Sequence, residues 1–222
     1  MKNIHLRQIT ASQMLLILFV FVLISTSCKK DINVTYEISE QANLSTCLAG
    51  FGDRSGTPTG RAFHLPYRVY VTSQMLGYDP EINYCNKYVG VGNIFAIFTL
   101  ENQNPTPITF TFPAGLIFLP DNDSSQTGLT IRDATIAMEA HGKEKVLLKF
   151  FCINHNKHAN YVNYYTMSVI SDNDQVNKLI NAVSVKSDST LQWHTIQLAQ
   201  IVWNISDYSG LTQADLDSIK KW

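Results

Sequence analysis

The chain has 222 residues, with 17 Lys or Arg against 18 Asp or Glu and a formal charge of −1. No run of basic residues longer than the pair Lys220-Lys221 follows Lys30, so the positive footprint that nucleic-acid binding needs is lacking and that class of partner is set aside. The length suits one domain with a sizeable core, or two small ones.

The first 27 residues have the three parts of a secretory signal. Lys2, His5 and Arg7 form a basic start, with no acidic residue before Asp31. Met14 to Ile24 is an uncharged apolar run of 11 residues, short of the ~20 that a helix needs to span a bilayer core. Ser25-Thr26-Ser27 then offers small residues to a peptidase immediately before Cys28. The stretch Leu23 to Cys28 resembles a bacterial lipobox, with Ser25 where Leu is the common residue and Ile24 one place earlier. Lys29-Lys30-Asp31 is similar to the start of surface lipoproteins from Bacteroidota-type bacteria. The resemblance implies removal of 1–27, a palmitate-type lipid on Cys28, and an exported protein held at the outer membrane or cell surface. Cleavage at the same place without acylation is the alternative. Loss of the leader leaves 15 basic and 18 acidic residues, a net charge of −3.

Residues 28–65 are polar and rich in turn formers, ending in Gly50 to Gly60 (GFGDRSGTPTG). This reads as a lipidated N-terminus and tether, since no Gly-Lys-Ser/Thr follows to make a phosphate loop. A single domain is expected over 66–222. Asn93 to Leu100 is a continuous apolar run, as for a strand covered on both faces. Ile108, Phe110 and Phe112 alternate with threonines, giving a half-buried strand. Leu116 to Leu119 resumes extended structure after Pro113-Ala114-Gly115, and Leu129, Ile131, Ile136 and Met138 continue the period of two. Val146, Leu148, Phe150 and Cys152 share one strand face, opposite Lys149. Short strands at this spacing predict an antiparallel, Ig-like β-sandwich.

From about 171 to 221 the pattern turns helical, predicting two or three helices packed on the sheets. Ser171-Asp172-Asn173-Asp174 looks like a helix start, followed by Val176, Leu179, Ile180 and Val183 at helical spacing. A second helix is expected over Leu191 to Ile205, and a third after Thr212. Trp193, Trp203 and Trp222 all fall in this part, where packing is the simplest role.

Four cysteines are present. With Cys28 assigned to lipid, Cys47, Cys85 and Cys152 allow one disulfide with one thiol left over. Cys152, His155 and His158 lie within seven residues, and His141 or His194 would complete four zinc ligands. An extended chain points the three in different directions, so a buried Cys before an Asn/His-rich loop is the favoured reading and no metal or other cofactor is expected. Tyr161, Tyr164 and Tyr165, among Asn154, Asn156, Asn160 and Asn163, hint at a surface that stacks on and hydrogen-bonds a sugar.

Residues 111–152 (TFPAGLIFLPDNDSSQTGLTIRDA…VLLKFFCIN) and 196–207 (IQLAQIVWNISD) are similar to exported bacterial β-domains, and in part to surface adhesion domains with an internal thioester. That family joins a Cys after an aromatic residue to a Gln four residues before a Trp. Here Cys152 follows Phe151, but Ala199 stands four before Trp203, with Gln197 and Gln200 to either side. No Gly-x-Ser-x-Gly or His-Glu-x-x-His motif occurs, and nothing selects a catalytic pair among acids such as Asp121/Asp123 and Asp172/Asp174. The sequence therefore nominates no catalytic residue. It points to a surface-anchored, non-enzymatic binding or structural module whose partners are the membrane, through Cys28, and a glycan or surface protein. A covalent thioester adhesin using Cys152 and a secreted hydrolase are the alternatives.

Overall fold

The computed structural model describes residues 49–222 except 53, 55, 78–84, 86 and 159–163. The signal segment, Cys28, Cys47 and Tyr161 lie outside the described residues. The fold is mainly β with helices at its C-terminal end. Eleven described strands run from β1 (Gly60–Ala62), β2 (Val69–Val71) and β3 (Met75–Gly77) through β4 (Lys87–Gly90), β5 (Ile94–Asn102) and β6 (Ile108–Phe112). They continue with β7 (Leu116–Pro120), β8 (Gly128–Leu129), β9 (Ala134–Met138), β10 (Lys143–Cys152) and β11 (Tyr164–Ser171). Helices α1 (Asp174–Ser184), α2 (Asp188–Trp193), α3 (Thr195–Asp207) and α4 (Gln213–Lys220) follow.

Instead of two facing sheets, six strands close on themselves. β5 pairs with β3, β3 with β11, β11 with β7, β7 with β8, β8 with β10 and β10 again with β5, every pair antiparallel. The expected Ig-like sandwich is thus replaced by a closed barrel carrying extra strands. Alternation of apolar residues cannot separate the two, because both architectures bury one face of each strand. Closure rests on the long strands β5, β10 and β11, which coil enough to bring the ring around, and on only two residue pairs between β10 and β8. Outside the ring, β2 extends the β3 edge of β5, β1 pairs with β11, and β4 runs parallel to β10. The ribbon of β6 and β9 pairs only with itself.

Side-chain alternation sorts the core into two bodies. Inward residues Phe98, Leu100, Leu116, Phe118, Val146, Leu148 and Phe150 fill the barrel, joined by Phe110, Phe112, Ile136 and Met138 from the ribbon. Their outward neighbours Ile117, Leu129, Phe151 and Ile153 pack under the helices with Leu179, Leu198, Val202 and Ile219. This accounts for the unbroken apolar runs of β7 and β10, which are covered on both faces. The Asn93–Leu100 run is covered in the same way along most of its length, since Ala96, Ile97, Phe98 and Leu100 are buried.

The described part of the expected tether, from residue 49 onward, belongs to the folded unit. Phe51 is 1 % exposed and sits in the core under the helices. Gly52 N–H donates to Ile153 O (2.8 Å), and its left-handed φ of 62° suits glycine alone at low cost. A Cβ there would stand 2.6 Å from Ser206 O. The polar composition of 49–65 concealed this one anchoring side chain and the short strand β1.

The helical part differs in detail from expectation. Asn173, rather than Ser171, caps α1, its Oδ1 accepting from Gln175 N–H and Val176 N–H. The single helix expected over 191–205 is broken at His194 into α2 and α3, so the described helices number four. Thr212 does cap α4, in a reciprocal box with Asp215. Thr212→Ala should cost about 1 kcal/mol of stability, read as a lower urea midpoint with an unchanged m-value. No described helix is long and apolar enough to cross a membrane.

Candidate functional site

Two places gather the residues that the sequence singles out. The first is the end of β10. Cys152 is fully buried, and burial pushes its thiol pKa up; the Asn154 backbone and the nearby Trp203 indole oppose the rise, and the Asp207 charge adds to it. The Sγ donates to Asn154 O and accepts from Asn154 N–H, both at 3.4 Å. The Trp203 N–H has no partner within hydrogen-bond limits, although it approaches the sulfur closely enough to favour a thiolate slightly. Burial dominates, so the thiol stays protonated and inert.

The zinc reading does not assemble. His155 is exposed, packs edge-on against Trp203 (4.6 Å between ring centroids), and its Nδ1 meets the Tyr208 hydroxyl at 3.2 Å. His158 lies in a bridge with Ser125, His141 occupies a left-handed turn, and His194 stacks on Trp222 at 4.4 Å. Among the described residues no group of three His, Cys, Asp or Glu side chains is placed to hold a metal ion. The thioester partners are likewise apart. Gln197 and Gln200 are on the exposed side of α3, with Gln200 donating to Asn204 Oδ1 (3.2 Å), while Ala199 faces the core.

Strand register also removes one disulfide. β4 and β10 run parallel with Lys87 opposite Val146, which is six residues, ~20 Å of strand, before Cys152, and the two residues back to Cys85 can recover at most ~7 Å. A disulfide spans at most ~7 Å between Cα atoms. Cys152 should therefore resist a bulky maleimide in native protein and react only in denaturant, as mapped by peptide mass spectrometry. Rapid native labelling would contradict its burial.

The second place is a notch in the barrel wall, where the tyrosines divide. Tyr165 is 3 % exposed, points into the barrel edge-on to Phe150 (5.3 Å), and donates its hydroxyl to Gln126 O (3.1 Å). It is a core residue, not a sugar platform. Tyr164 faces outward on the same strand, at the rim of the notch. Asn154, expected among the exposed amides, is fully buried: its Oδ1 accepts from Thr127 N–H (2.7 Å) and its Nδ2 donates to Gly52 O (2.5 Å), tying the N-terminal segment to the barrel.

The notch arises from strand pairing. One edge of β11 pairs with β3 at Tyr164 and Tyr165 and with β1 from Val169 to Ser171. Between these, no described strand flanks Thr166 to Ser168 on that edge, and Phe63 N–H donates to Ser168 O (3.2 Å). The gap is a concavity of about 570 Å³ whose walls include Phe63, Leu65, Val71, Met75 and Met167, with His64, Ser73, Gln74 and Thr166 as polar members. No family model, curated protein or solved structure matches this chain.

The notch escaped the sequence reading because β11 did. Only the period of two in Tyr165, Met167 and Val169 hinted at a strand, and polar Thr166 and Ser168 beside a Tyr/Asn-rich stretch masked it. Phe63 and Leu65 fall in the stretch that reads as tether, although their i, i+2 spacing is that of one strand face.

Proposed function

We infer that this protein is an exported, lipid-anchored binding module that holds a small ligand with an apolar body and a polar end in the notch between β1, β3 and β11. The observation that carries the reading is the notch itself. It is a concavity of ligand-site size whose wall is mainly aliphatic and aromatic, opening beside barrel-interior residues Met75 and Tyr165. Met75 and Tyr164 to Met167 of its wall belong to strands of the closed ring, which lowers the ordering cost that opposes binding. The burial of Cys152, the one nucleophile that the sequence brought forward, supports a role without covalent chemistry. The lipobox-like Leu23 to Cys28 supports the anchored address.

Two experiments test this. Cys28→Ala should move the protein from the membrane fraction to a soluble or unprocessed form; equal membrane retention with normal processing would refute the anchor. Medium-chain amphiphiles should displace an anilinonaphthalene dye from the mature protein. Met167→Gln with Tyr164→Ala should weaken that displacement by about tenfold, roughly the loss of one well-buried apolar contact, without lowering the melting temperature by more than a few degrees. Undiminished dye binding in the double variant would remove the notch as the site.

A further inference from the structure

On the side of the barrel that faces α1 and α2, two hollows of about 490 and 470 Å³ share Asp133, Thr135 and Asp188 in their lining. Both are more polar than the notch, although Ala114, Ile131 and Ile180 give the first an apolar side. Arg132, Asp133, Ser184 and Asp188 line the first, while Tyr88, Ser189 and Gln192 bring β4 and α2 to the second. Each volume lies in the ~300–1,000 Å³ range of small-ligand sites.

The polar groups here are held in place. Arg132 Nη1 donates to Val183 O (3.1 Å) and Ser184 O (2.8 Å) at the end of α1, and its Nε meets Asp188 Oδ1 at 3.0 Å. Asp133 Oδ1 accepts from Ala114 N–H (2.7 Å), and its second oxygen has no hydrogen bond among the described residues. Thr135 and Thr111 share a hydroxyl hydrogen bond of 2.9 Å. Lys149 Nζ donates to Gln192 Oε1 (3.2 Å), orienting that amide. The furrow thus presents carboxylate acceptors beside hydroxyl and amide groups able to donate and accept. No cation among them is left without an acidic or carbonyl partner to attract an anion.

One exposed aromatic ring lines the second hollow, and another stands on α2 next to its lining residue Gln192. Tyr88 on β4 is 58 % exposed, and Trp193 at the end of α2 is 87 % exposed. Trp193 is four residues after Ser189, hence on the same helix face as that lining residue, and it adjoins Gln192. The expected packing role for Trp193 is therefore overturned. A nearly bare indole offers a large flat apolar face with a polar N–H at its edge, at low conformational cost.

We propose that the furrow between β4, β9 and α2 binds a saccharide, with Tyr88 and Trp193 stacking on sugar rings and Asp133, Asp188 and Gln192 taking their hydroxyls. A sugar ring needs this pairing, because it has an apolar C–H face and a rim of groups that both donate and accept. A purely apolar ligand would take water from the carboxylates, above all from the second oxygen of Asp133, and return no hydrogen bond. The proposal is independent of the notch.

The test is calorimetric titration of the mature protein with hexamers of β-glucan, xylan and chitin, beside sedimentation with anionic phospholipid vesicles. At least one hexamer should bind. Trp193→Ala and Tyr88→Ala should each weaken it about tenfold or more, equivalent to ~1.4 kcal/mol, and Gln192→Ala should weaken it less. The notch variant Met167→Gln should bind that hexamer as the parent does. Trp193 is exposed, so its variant should melt with the parent and separate lost binding from lost folding; Tyr88→Phe keeps the ring and should retain binding. Failure of all three hexamers, binding indifferent to both aromatic substitutions, or vesicle binding that depends on Trp193 and its exposed neighbour Ile196 would each overturn the proposal.

Discussion

Phe150→Ala should lower the unfolding free energy by about 3–5 kcal/mol, the range for removing a buried Phe from a packed core, measured by urea denaturation. The ring is fully buried and lies parallel to Phe118, with centroids 4.6 Å apart and planes 3° apart. Tyr165 meets it edge-on at 5.3 Å. Gly128 packs so tightly against it that a Cβ there would stand 2.3 Å from two ring carbons. These neighbours come from β7, β8 and β11, which are three members of the closed ring, so collapse around the hole would require strands to move together. The loss should appear as a lower midpoint at constant m-value. A loss below about 1 kcal/mol would mean that the interior repacks freely, contrary to the close packing of Phe150 against Phe118, Tyr165 and Gly128.

Phe51→Ala should be comparably costly, again about 3–5 kcal/mol, although it stands in a segment whose composition reads as linker. Its side chain is 1 % exposed within the core under the helices, in a cluster with Val176, Leu198 and Ile205. The backbone beside it is pinned twice, by Gly52 N–H to Ile153 O and by Asn154 Nδ2 to Gly52 O. A chain beginning at residue 66 would also lose β1 from the edge of β11, and Phe63 and Leu65 from the barrel side. That truncation should fail to give a cooperative urea transition, whereas a chain beginning at residue 45 should retain one. Equal stability of the two fragments would restore the tether reading.

Legibility in the sequence followed the local signal. β6 and β9 were readable because Phe110, Ile136 and their neighbours alternate with exposed Thr and Ala. The start of α4 was readable from Thr212 and Asp215, a contact three residues apart. Burial of Cys152 followed from its position two residues after Phe150. Its surroundings did not, since Trp203 and Asp207 reach it from a helix more than 50 positions away. β11 was hidden because two adjacent tyrosines look alike in a sequence while strand geometry sends Tyr165 inward and Tyr164 outward. Barrel closure was hidden because it depends on pairings that carry no pattern of their own, above all Cys152 opposite Gly128. The furrow is composed of residues from β4, the loop before β9, and α2, so only the tertiary structure brings it together.

Closure of the ring between β3 and β11 joins Met75 to Tyr165, positions 90 residues apart. No shorter stretch can complete the barrel, because β11 is its last strand and supplies both the β3 and the β7 neighbours. Loop-closure entropy and high contact order both slow such a step. Throughout synthesis up to Ser171, therefore, the nascent chain has an unfinished wall and cannot lock. A slow, late commitment to the native state would suit the export proposed above, since it would leave the final folding to the far side of a membrane.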